Sequence, residues 1–128
     1  MNRDLVRQVG NSPVDNLINS TTPPAITTGI RVRANQGVLR RGTVMSISSL
    51  NNEMVVLGRN AAGGETLTPN CILTDPVDTG TGAAVPSTAY RTGHFNRQAL
   101  ITHGGRALTR AEEETLRNGG ILLSDALR

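Results

Sequence analysis

From Ile26 onward the chain takes up a period of two, and that pattern commits most of it to strands rather than helices. Ile30, Val32 and Ala34 alternate with Arg31 and Arg33, as in a strand with one face buried and the other wet. Asn35-Gln36-Gly37 turns the chain, and a second strand is expected over Val38 to Ile47, with Gly42 inside it marking a bulge or a close backbone approach. Leu50-Asn51-Asn52 reads as a hairpin turn. The apolar run from Glu53 to Leu57 reads as a well-buried strand, and Asn60 to Gly64 as a loop. Asn70 to Thr74 is another short strand, and Asp75 to Gly82 is a loop of Asp, Thr, Gly and Pro. Ala84 to Phe95 is strand-like around Tyr90 and is expected to break at Gly93.

One helix is legible. Thr109 and Glu112 have capping-box spacing, so the threonine hydroxyl can accept from a first-turn amide while the glutamate reaches back. Glu112, Glu113 and Glu114 suit the positive end of the helix dipole, and Asn118-Gly119-Gly120 ends the helix. Ile121-Leu122-Leu123 then follows as a strand or a short apolar tail. The expected fold is mainly β with one short helix (α+β).

Residues 1 to 27 differ from the rest. Gly10-Asn11-Ser12-Pro13 reads as a turn, and Pro23-Pro24 enforces extended backbone. Leu5, Val6, Val9, Leu17 and Ile18 are too few to bury this segment by themselves. The expected division is therefore an extended N-terminal arm, 1–27, and a β-rich domain, 28–128.

The 128 residues fit one domain, but the core is unusual: there is no Trp, and Phe95 and Tyr90 are the only aromatic residues. Val, Ile, Leu, Ala and Met must fill the interior, which makes self-association a natural source of further burial. The net charge is +3 and every basic residue is Arg. The arginines are scattered among ten acids with no basic run, so a biased codon usage explains them better than a nucleic-acid surface. No stretch approaches the length of a membrane span, and no apolar block follows Arg3, Asp4 and Arg7, so neither an anchor nor a secretory leader is expected.

Catalytic and metal-binding patterns are missing. His94 and His103 lack a neighbouring ligand at metal spacing. Cys71 stands alone in an apolar run and reads as a buried thiol. The absence of Lys excludes Schiff-base chemistry and the phosphate-binding lysine of a P-loop. Asp75 and Asp78 could ligate a hard cation, but Asp-Pro spacing more often starts a turn. The expectation is no enzyme, no cofactor and no metal.

Three stretches carry a resemblance: Gly58 to Gly64, Cys71 to Asp78, and Tyr90-Arg91-Thr92-Gly93-His94-Phe95-Asn96-Arg97, together with Leu116 to Ile121. Over roughly residues 38 to 125 the chain resembles the phage lambda-type head decoration proteins. It departs from the lambda prototype in having no Trp and a longer C-terminal part. The resemblance implies a β-clip (β-tulip) fold and a homotrimer bound outside the expanded capsid at local three-fold positions. Its partner there is the major capsid protein, and the shell is stabilised against packaged DNA. It also implies synthesis in the host cytoplasm, a place on the virion surface, and no nucleic-acid or membrane partner. On this reading Leu17, Ile18, Pro23, Pro24 and Ile26 are the capsid-binding arm contacts. Tyr90 and Phe95 are either trimer contacts or plain core. The alternatives are another virion surface or tail and adhesion module, and a nucleotide pyrophosphatase, which shares the β-clip architecture. If Asp75 and Asp78 only shape a turn, melting is unchanged by added calcium or by a chelator; a calcium-dependent rise in midpoint would reverse that assignment.

Overall fold

The computed structural model describes residues 17–20 and 23–125. Nine strands and one helix follow in order: β1 (Ile18–Ser20), β2 (Ile26–Val32), β3 (Val38–Leu39), β4 (Val44–Ser48), β5 (Met54–Val56), β6 (Leu67–Leu73), β7 (Val77–Asp78), β8 (Val85–Asn96), α1 (Arg110–Asn118) and β9 (Ile121–Ser124). The chain is mainly β with one short helix, as the periodicity indicated. The arm turn at Gly10 to Pro13 lies outside the described residues.

Five strands close on themselves. β2 pairs with β8, β8 with β6, β6 with β4, β4 with β5, and β5 returns to β2. Every pairing is antiparallel except the last, a parallel contact of Val32 with Met54. Closure of this kind removes sheet edges, which short strands cannot otherwise protect. β8 is the spine of the fold. Its first part borders β2 and β6, and its last four residues lie between β1 and the parallel strand β9.

Period two places side chains on both sides of the wall, and both sides are covered. Ile30, Val32, Met45, Met54, Val56, Cys71, Leu73 and Ala89 fill the barrel. The intervening Val44 and Ile72 face outward into a second cluster with Leu17, Leu57, Phe95, Leu116 and Ile121. β4 and the Cys71–Leu73 end of β6 are therefore buried on both faces rather than on alternate residues. The helix contributes Leu116 as its one buried residue. Its capping box is fully formed, with the Glu112 amide donating to Thr109 Oγ1 at 3.2 Å and the Thr109 amide donating to Glu112 Oε1 at 2.9 Å.

Two expected strands came out differently. Val38 to Ile47 is split: β3 pairs with β7 in a separate two-stranded ribbon, and β4 enters the barrel. Gly42 turns the chain between them at φ 94°, where a Cβ would lie 3.2 Å from the Ala99 carbonyl oxygen. The ribbon also puts a strand inside the expected loop 75–82. Conversely, β8 runs through Gly93 without a break. The ring of Phe95 folds back over Gly93, so a Cβ there would come within 2.7 Å of the ring. The glycine makes room for an aromatic ring instead of ending the strand.

The parallel seam is short, and a side chain extends it. Gln36 accepts from the Val56 amide at 2.7 Å and donates to the carbonyl oxygens of Arg33 and Met54 at 2.8 and 3.2 Å. Its amide occupies the place a further pair of β2 residues would hold. Gln36→Leu keeps the bulk but leaves these backbone groups unmatched, so a loss of about 1–3 kcal/mol is expected from denaturant unfolding. An unchanged midpoint would mean that the seam does not depend on this amide.

Candidate functional site

No group of three or more His, Cys, Asp and Glu side chains that could hold a metal ion occurs among the described residues. Cys71 is fully buried, and that burial pushes its thiol up to about 12, so it is a packing residue and not a nucleophile. His94 shares a 2.7 Å hydrogen bond between Nε2 and Ser124 Oγ. No helix among the described residues is long and apolar enough to cross a membrane.

The residues assigned to the arm sit at one end of the barrel, beside the last part of β8. Leu17 is 3% exposed and packs in the outer apolar cluster. Its carbonyl oxygen accepts from the Asn96 amide at 2.7 Å. Ile18 pairs with Phe95 and is half-buried against the same cluster. Asn19 fastens this segment to the far end of the chain: its Nδ2 donates to Ser124 Oγ at 2.9 Å, to the Ser124 carbonyl oxygen at 3.2 Å and to that of Asp125 at 3.0 Å. Pro24, Ala25 and Ile26 are exposed, and Ile26 leaves 55% of its surface to solvent. Thr92 ties this stretch to β8 by donating to the Pro24 carbonyl oxygen at 2.8 Å. Leu17 and Ile18 therefore anchor the segment to its own chain, whereas Pro24, Ala25 and Ile26 form the wet side and Pro23 is half-buried.

Tyr90 and Phe95 meet with ring centroids 5.3 Å apart. Phe95 is completely buried in its own chain, which is the core reading of the pair. Tyr90 is half-buried, and Arg41 lies 5.4 Å above its ring while Nη1 donates to its hydroxyl at 2.6 Å. Nothing in the spacing of Arg41 and Tyr90 marked this contact.

Beyond the sequence reading lies a second constellation. Arg33 grips Glu65 with two parallel bonds of 2.9 and 2.7 Å and reaches Glu53 at 3.2 Å. Glu65 also accepts from Ser48 Oγ at 2.6 Å and the Ala62 amide at 3.0 Å. The Arg33 guanidinium is the main reason its carboxyl falls to about 2, with Ser48 and the amide adding to it. A buried acid in a glycine-rich loop was the available signal, but no local pattern joins it to Arg33.

A family model, Bacteriophage lambda head decoration protein D, matches residues 7–122. The chain belongs to that family. It is a family of structural capsid decoration proteins rather than enzymes, and membership implies association with the capsid of a virion. No curated protein matches the sequence.

The lowered Glu65 carboxyl carries a pH signature. A group depressed in the folded state stabilises above its ordinary value and loses that contribution as pH falls through the folded one. The decoration-family chain should therefore lose stability between about pH 4.5 and 2. Glu65→Gln should be less stable at pH 7, with the gap to the native chain narrowing across that window in denaturant titrations. A gap that does not vary with pH would show that the Glu65 charge contributes nothing.

Proposed function

We propose that this chain is a cement protein: it binds the outside of the expanded phage capsid as a homotrimer at local three-fold positions and stabilises the shell against packaged DNA. The major capsid protein is its partner, with no nucleic-acid or membrane ligand and no catalysed reaction. The observation that carries this reading is the family match over residues 7–122. Synthesis in the host cytoplasm, followed by attachment to the particle, goes with it.

The physics of such a role needs no reactive group. A protein that binds only the intact shell stabilises that shell by mass action. Three copies joined in one trimer make the second and third contacts effectively intramolecular, so weak contacts add to strong avidity. The arm contact falls to the segment with Pro23, Pro24 and Ile26, which is exposed at Pro24 and Ile26. An extended segment can add to a neighbour's sheet edge. Leu17 and Ile18 hold the root of that segment against β8, so its pull is transmitted to the barrel. The half-buried Tyr90 is the aromatic residue still accessible to a neighbouring copy.

Co-sedimentation with expanded, undecorated capsids and with compact procapsids tests the proposal. Saturable binding to expanded shells alone, in multiples of three per site, is the expected result. Binding to neither shell would move a tail or adhesion role to the front, with only a few copies per particle. Ile26→Ser alters the exposed apolar side chain of that segment. It should leave the melting midpoint nearly unchanged while weakening shell binding, and full binding by this variant would rule out the contact at Ile26.

A further inference from the structure

A cleft of about 480 Å³ opens beside the β2–β5 seam, on the outer side of the barrel wall. Its floor is Val55, and its space exists because Ala34, Ala62, Gly82, Ala83 and Ala84 carry no side chain beyond Cβ. Three guanidiniums line it: Arg31, Arg33 and Arg59. Arg33 is committed to Glu65 and Glu53. Arg31 and Arg59 contact no carboxylate among the described residues, and Arg59 makes one bond, from Nη1 to the Asn35 carbonyl oxygen at 3.3 Å. Elsewhere Arg97, Arg106 and Arg117 each hold an acid of their own.

Three positive groups set against Glu53 and Glu65 leave one net positive charge at the cleft. From this balance we propose that the cleft receives a single carboxylate, the side chain of an Asp or Glu presented by the shell protein, bound between Arg31 and Arg59. The proposal rests on the decoration reading and adds the chemistry of one contact to it. Guanidinium forks match a carboxylate with two parallel donors, and Arg31 and Arg59 retain most of theirs. A phosphate dianion fits less well, because Glu53 stands on the wall and would repel its second charge. Duplex DNA is too broad for a recess walled by the loop at Gly82 to Ala84. The bound carboxylate would replace water on two exposed side chains that need no rearrangement of the core, so specificity comes at no expense to the barrel.

Shell binding by two variants tests this. Arg31→Gln with Arg59→Gln removes the charge, and Ala83→Leu fills the cleft while keeping it. All three sites are exposed, so melting should match the native chain. Both the charge variant and the filled variant should bind expanded shells about tenfold more weakly, and the charge variant should bind with a shallower salt dependence. Native binding by Ala83→Leu overturns the proposal, because it would reduce the arginines to long-range attraction. Failure of the native chain itself to bind shells overturns the decoration reading and the partner named here together. The cleft is then judged alone by a blocked peptide with one Glu, its Gln counterpart, inorganic phosphate and a DNA duplex, followed through the Arg Nε resonances. Saturable shifts at Arg31 and Arg59 from the Glu peptide alone support a carboxylate site, and shifts from phosphate or DNA without the Glu peptide refute it.

Discussion

The barrel is closed by one parallel contact, Val32 against Met54, and everything else in the fold presumes that this seam stays shut. A single pair of residues is a weak closure. Gln36 lengthens it by bonding the backbone on both sides, and Arg33, the next residue after β2, draws Glu53 and Glu65 across the same line. With the seam held, Met54 and Val56 face inward and complete a core that has no aromatic side chain. Were it open, β2 and β5 would each expose an edge, and the aliphatic interior would be wet from that side.

β8 then organises the rest. It is long enough to serve the barrel with its first part and a second, smaller sheet with its last. Phe95 is the largest fully buried side chain of the outer cluster and supplies there the bulk that the barrel lacks. The start of the described chain and its end both lie along this strand, joined by Asn19 and Ser124. β1 ties the start of the described chain to β8, and β8 joins it to the closed wall.

Much of the strand pattern was legible because it rests on local physics. The alternation at Ile30, Val32 and Ala34, the turn at Asn35 to Gly37, the hairpin at Leu50 to Asn52 and the capped helix at Thr109 are each set by neighbouring residues. The misread elements are those where a distant group decided the matter. At Gly42 a close backbone approach was legible, but not that its partner is the Ala99 carbonyl, far along the chain. Gly93 looked like a break because only the folded-back ring of Phe95 explains a glycine there. Leu17 looked like part of a free arm, since nothing nearby shows that Val44, Leu57 and Phe95 will surround it.

By itself the sequence determined a β-rich chain with an aliphatic core, one capped helix and no recognisable catalytic pattern, and its motifs pointed to a decoration family. These are properties of composition, period and short spacing, and they survive any arrangement of the strands. Only the tertiary structure decided which strands meet, that the wall closes, and that Arg33 finds Glu65 while Arg31 and Arg59 are left facing an open cleft. The reason is that charge pairing and barrel closure depend on distances between residues far apart in the chain. Those distances come into being only when the strands have paired.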